Sequence, residues 1–175
     1  MNVAADAGTG AGQMAPAMRS ATLRMLAWAR LWSPLLDERR RAEAWEALGL
    51  PGSFEAQRLD YWNTFHAGVP QPPVPLQLHA LLQCDGGPLR ETLLRVAEHL
   101  DIEMSVHRLP PDHLAPICEL QALAIEREES VLVEGLANRF LLPWVQAALG
   151  TLPAGEPGLR ALLQAFADDA QAITD

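Results

Sequence analysis

The stretch PLRETLLRVAEHL, residues 88–100, opens on proline and then places Leu89, Leu93, Val96, Ala97 and Leu100 at intervals of three and four. That is the period of one helix face, and proline in a first turn removes only a donor that a helix start leaves unpaired. Cys84-Asp85-Gly86-Gly87 supplies the turn before it. The same spacing recurs on both sides. Upstream, Leu23, Leu26, Ala27, Trp28 and Leu31 form a stripe that stops near Ser33-Pro34. Ser33 as cap and Pro34 as first residue then start a second helix, with Leu35, Ala42, Trp45 and Leu48 inward and Gly49 as its end. Ser53 caps a third, which buries Leu59, Trp62 and Phe65 and stops at Gly68. A short helix covers Leu76 to Gln83. Downstream, Asp112 is placed to cap a helix that buries Ile117, Leu120, Leu123 and Ala124. Ser130 is placed to cap one through Leu132, Leu136 and Phe140, which Pro143 kinks before Trp144 and Leu149. Pro157 starts the last, with Leu159, Leu162, Leu163, Phe166 and Ile173.

Composition agrees. The 175 residues include 29 Leu and 28 Ala against 18 Val, Ile and Thr, and no segment alternates with period two. Leu and Ala favour helix and β-branched residues favour strand. The expected fold is all-α: one compact helical domain of seven to eight helices over residues 19–175, behind a Gly- and Ala-rich disordered tail at residues 1–18. A chain of this length buries roughly 68–70% of its unfolded surface and needs no metal or disulfide staple. Two segments interrupt the helices. Val69 to Pro75 holds four prolines in seven residues, which forces extended backbone, and residues 101–111 end in Leu109-Pro110-Pro111.

Charge narrows the function. The formal net charge is −9, which argues against nucleic acid, whose phosphates need a basic footprint. All 13 basic residues are Arg, so a Walker lysine and a Schiff-base lysine are excluded. Cys84 and Cys118 form no disulfide framework or zinc-pair motif and read as thiols of a reducing compartment. The first residues have no basic n-region and no stretch reaches 18 apolar residues, so a cytoplasmic protein without membrane insertion is expected.

Parts for catalysis are sparse, and no enzyme activity, metal or cofactor is expected. His107 and His113 flank Asp112, but their spacing matches no strong ligand motif, and Pro110-Pro111 lies between them. His66, His79 and His99 are scattered. Cys118 sits five residues from His113, off a shared helix face, and reads as a buried thiol. Ser20, Ser33, Ser53 and Ser130 read as caps, and Asp168-Asp169 and Glu128-Glu129 as solvated faces. The Gly-rich run at residues 8–12 lacks a preceding strand and so is no phosphate loop.

Two groups remain: Tyr61-Trp62-Asn63-Thr64-Phe65 running into Gly68 and the proline connector, and Leu109-Pro110-Pro111-Asp112-His113-Leu114 followed by Cys118-Glu119-Leu120 and, later, Phe140-Leu141-Leu142-Pro143-Trp144. Their order resembles the TorD/DmsD/NarJ family of chaperones dedicated to molybdenum-cofactor oxidoreductases, over residues ~20–170. In that family an aromatic-x-x-x-Phe-x-Gly helix end precedes a Pro-rich loop, matched by Tyr61, Phe65 and Gly68 before Pro70, Pro72, Pro73 and Pro75. The hallmark Glu-Pro-x-Asp-His-Leu is matched by Pro110, Pro111, Asp112, His113 and Leu114, with Leu109 in place of the Glu. Glu119 and Leu120 match a downstream Glu-Leu pair. Leu141 and Trp144 match a Leu-x-x-Trp, with Phe140 where the family usually has His.

The resemblance implies a cytoplasmic, non-catalytic chaperone. Its partner would be the catalytic subunit of a molybdenum-cofactor oxidoreductase, held by its N-terminal or signal region, often twin-arginine, until the cofactor is inserted. A monomer is expected, with a helix-swapped dimer conceivable. Carboxylates would pair with the basic part of the client and an interhelical groove would take its apolar part. The groove is expected near the Pro70–Pro75 connector and the Leu109–Leu114 loop, with Tyr61, Trp62, Phe65, Pro110, Pro111, Asp112, His113, Leu114, Glu119 and Trp144 as client-binding residues. Asp112 would act by capping or by meeting an Arg of the client. A helical small-molecule-binding or regulatory domain, using the same loops as a pocket, is the alternative. A metal-dependent hydrolase would need His107, Asp112 and His113 to converge with a further ligand.

Overall fold

The computed structural model describes residues 15–104, 108–152 and 155–174. They form α1 (Pro16–Trp32), α2 (Glu38–Ala47), α3 (Phe54–Phe65), α4 (Leu78–Leu82), α5 (Gly86–His99), α6 (Leu114–Glu126), α7 (Ser130–Leu136), a π-turn (Ala137–Leu141), α8 (Leu142–Thr151) and α9 (Pro157–Ala172). The π-turn joins α7 to α8 as one bent rod immediately before Pro143, so the described residues make eight rods. Among them there is no strand, only one isolated antiparallel bridge between Gln77 and His113. The all-α expectation holds.

Helix starts follow local chemistry where the cap has no competitor. The Ser53 hydroxyl accepts from the Ala56 N–H at 3.3 Å. Asp85 accepts from Gly87 N–H at 2.9 Å, and so starts α5 two residues before Pro88. Elsewhere the expectation is corrected. The second helix starts at Glu38, capped by Asp37, whose side chain accepts from Arg40 N–H at 2.9 Å. Ser33 instead turns the chain by accepting from Leu35 N–H, and Leu35 is exposed. Ser20 lies inside α1, and Ser130 is the first residue of α7 with no side-chain cap before it. Residues 16–18 of the expected tail are helical, and residues 1–14 lie outside the described ones.

The core is organised around Trp32. Its ring meets Trp28, Tyr61, Phe65, Trp144 and Phe166 at centroid distances of 5.3–6.3 Å, drawing α1, α3, α8 and α9 together. Most of these pairs are edge-to-face, the arrangement that adds electrostatic attraction to burial. α1 runs along α6, whose Ile117, Cys118, Leu120 and Ala124 are fully buried. Asp169, read in the sequence as a solvated carboxylate, is tied inward: it accepts from Trp28 Nε1 at 2.7 Å and Arg24 Nε at 2.8 Å, pinning α9 to α1. The buried side of α3 is Phe54, Tyr61, Thr64 and Phe65, while Leu59 is 70% exposed.

The proline connector is fastened at its C-terminal end. Val74 N–H donates to Thr64 O at 2.9 Å, and Trp144 Nε1 donates to Pro75 O at 3.0 Å. Gly68 begins it by close approach: a Cβ there would stand 2.4 Å from Gln71 O. The extended segment after it pairs with the chain entering α6, through Leu78 N–H to Asp112 O and Leu114 N–H to Leu76 O, both 2.9 Å.

Candidate functional site

The pairing of residues 76–78 with 112–114 brings the two expected loops side by side, and a cleft of about 530 Å³ opens along them. Trp62, Phe65 and His66 from the end of α3 form one wall. Pro70, Pro72 and Pro75 of the connector, with Leu76, form another, and His113 closes it. The lining is apolar apart from the two imidazoles and the amides of Gln71 and Gln77, and includes no carboxylate. Wall position follows from the chain's course: residues 62 and 65 stand at i and i+3 on α3, and His66 is the residue that caps its end.

Of the ten residues expected to contact a client, Trp62, Phe65 and His113 line this cleft. Pro110, Pro111 and Glu119 are half-buried away from its lining. Tyr61, Asp112, Leu114 and Trp144 are all 0% exposed, and so stand behind the wall rather than on it. Tyr61 donates to Leu31 O at 2.5 Å and Trp144 holds Pro75, so each is spent on the frame.

Asp112 is corrected in its expected capping role. The cap of α6 is His113, whose Nδ1 accepts from Ala115 N–H at 3.2 Å. The Asp112 carboxylate instead accepts from His79 Nδ1 on α4 and from Arg90 Nε on α5, the latter at 2.7 Å. The arginine it meets is this chain's own. Burial pushes the Asp112 carboxyl up, but hydrogen bonds and charge from Arg90 and His79 outweigh that and hold it below its ordinary value. The result is a buried ionic tie between α4, α5 and the turn that presents His113.

Behind the other wall, Arg41 is 1% exposed; its guanidinium lies 4.6 Å over the Trp62 ring and donates to Ser33 O at 2.8 Å. Burial lowers its pKa, against the raising influence of Tyr61, Glu38 and Asp37. It fixes the indole of Trp62 from the rear, a cation–π contact. Burial also holds His66 down at about 3, with Arg41 and His113 adding to the effect. His113 is held down at about 4 by burial, against the charge of Asp112. Both imidazoles are neutral at ordinary pH.

Among the described residues no three His, Cys, Asp or Glu side chains converge as metal ligands, and His107 lies outside them. Burial pushes the Cys118 thiol well above its ordinary value, as expected of a packed thiol, with Glu119 adding. No described helix is long and apolar enough to cross a membrane. Sequence reasoning misses His66, although its i+4 spacing from Trp62 is the signal that places it.

No family model matches the chain, and no curated protein matches it either. Among solved structures, the fold is similar to that of a candidate redox enzyme maturation protein from Archaeoglobus fulgidus. The TM-score is 0.56 at 14% sequence identity, over 87% of this chain and 91% of that one. At that identity the likeness speaks for the arrangement of helices.

Proposed function

We propose that this chain is a non-catalytic, cytoplasmic maturation chaperone. It holds an apolar N-terminal or signal segment of the apo catalytic subunit of a molybdenum-cofactor oxidoreductase, until the cofactor is inserted and the subunit is assembled or exported. The observation that carries this reading is the cleft between the proline connector and the His113 turn, the place where the family-like motifs of the sequence meet. The shared fold with a candidate redox enzyme maturation protein supports it. Trp62, Phe65 and His113 are the contact residues; Asp112, Tyr61 and Trp144 are positioning residues that hold the wall.

The chemistry suits reversible holding. Burying on the order of 600 Å² of apolar surface contributes about 15 kcal/mol gross. Ordering about ten client residues costs ~10–15 kcal/mol. The near-balance leaves an affinity set by a few hydrogen bonds, as release requires. The carboxylates expected to meet basic client residues are not in the cleft, so such pairing falls to acidic residues outside its lining.

The test is affinity purification from the native host. The reading expects the apo catalytic subunit of a molybdenum-cofactor oxidoreductase to co-purify, and to be lost when its N-terminal segment is deleted. Capture that survives the deletion, or a bound small molecule with no such subunit, contradicts it.

A further inference from the structure

Hydrogen bonding fixes which nitrogen of each cleft histidine carries the proton. Tyr61 Oη gives its one proton to Leu31 O at 2.5 Å, so toward His66 Nε2, 3.2 Å away, it only accepts. His66 therefore carries its proton on Nε2, and its Nδ1 is a bare acceptor. His113 is the converse. Its Nδ1 accepts from Ala115 N–H at 3.2 Å, so the proton sits on Nε2, which makes no hydrogen bond among the described residues. Both rings line the cleft, and His113 lies within electrostatic reach of His66.

Beside the amides of Gln71 and Gln77, the cleft thus offers one neutral imidazole donor and one neutral imidazole acceptor. Cationic groups find no counter-charge, because no carboxylate lines it and Arg41 stands within electrostatic reach of His66. Asp112, the charged group behind His113, is already engaged by Arg90 and His79. An extended peptide matches this surface. Its apolar side chains fill the walls, while its main-chain N–H and C=O cannot be left unpaired in an apolar cleft without costing affinity.

Resting on the reading of the cleft as the client site, we propose that His113 Nε2–H binds a main-chain carbonyl, and His66 Nδ1 a main-chain N–H, of an extended and uncharged client segment, leaving the client's basic residues outside the cleft. Recognition at this point is by backbone and is indifferent to which apolar side chain stands there.

The probe is a short, capped peptide of leucine, alanine and serine, measured by titration calorimetry beside analogues that each replace one peptide bond by an ester. One ester position should weaken binding to the wild type by about three- to tenfold, the worth of one hydrogen bond. The same ester should cost nothing in His66→Gln, whose amide still reaches Tyr61 but presents no acceptor at the Nδ1 position. His113→Asn keeps an acceptor for Ala115 N–H and lacks the Nε2 donor. It should weaken every analogue by a similar factor with its thermal midpoint unchanged. Wild-type affinity should stay constant from about pH 8 to 6 and fall only below about pH 5, as rings held down at about 4 and 3 protonate. The proposal is overturned if the parent peptide does not bind, if all ester analogues bind alike, or if the ester loss is the same in His66→Gln. In each case co-purification of the oxidoreductase subunit stands or falls separately.

Discussion

Replacing Asp112 with alanine separates a positioning role from client contact. The carboxylate is 0% exposed and accepts from His79 and from Arg90, the latter at 2.7 Å. Charge-assisted hydrogen bonds contribute about 1.5–3 kcal/mol each, and breaking a buried ion pair costs ~3–5 kcal/mol. The partners are not fully buried: the Arg90 side chain is 40% exposed and that of His79 is 28% exposed. Water therefore recovers part of the loss, and the carboxylate's own burial cost disappears. The expected net destabilisation is about 3 kcal/mol. At roughly 2–4 °C per kcal/mol for a chain of this length, the Tm falls by about 6–12 °C. Because Asp112 is held below its ordinary pKa, its contribution is present above the unfolded value of 3.8 and is lost as pH falls through the folded one. The gap between wild type and variant should close under strong acid. Scanning calorimetry measures the stability, and peptide titration well below the variant's Tm measures binding, which should persist. A Tm within about 2 °C of wild type would refute the ionic tie. Lost peptide binding at unchanged Tm would return Asp112 to the client surface.

Two further outcomes follow from the same geometry. His66 and His113 are both held down in the folded protein, so below the unfolded value of 6.5 the unfolded chain takes up protons first, and stability falls toward about pH 4 and 3 at about 1.4 kcal/mol per pH unit per group. Urea melts across this range should show that slope, flat above about pH 7, and reduced by one group's share in His66→Gln. Trp144→Phe removes the donor to Pro75 O and leaves a buried carbonyl unpaired, which costs about 1–3 kcal/mol. Amide exchange at Val74, bonded to Thr64 O, should accelerate more than exchange in α6.

Local signals placed most of the helices. Ser53, Gly49 and Pro157 act where they stand, since a cap, a left-handed turn and a proline start depend on their own few residues. The failures share a cause: a distant partner decided between locally equal options. Asp112 and His113 are both fit to cap α6, and Arg90 on α5 with His79 on α4 takes the aspartate away. The stripe Leu59, Trp62, Phe65 is a sound helix face, yet α3 turns Tyr61 inward because its hydroxyl finds Leu31 O on α1, leaving Leu59 to solvent. Tyr61 and Trp144 stand in the right motifs and shape the cleft from behind; sequence order shows that they belong to it, but not on which side of the wall they lie. His66 looks like a scattered histidine until the connector folds back against α3.

Trp62 gives the most direct measurement. It is the half-buried indole on the cleft wall, whereas Trp28, Trp32, Trp45 and Trp144 are buried in the core. With 5-fluorotryptophan in all five positions, fluorine resonance should show the Trp62 signal moving as the client's N-terminal segment is added, while the four core signals hold their positions. Binding that leaves the Trp62 signal in place, or moves only core signals, would contradict a client seated in this cleft.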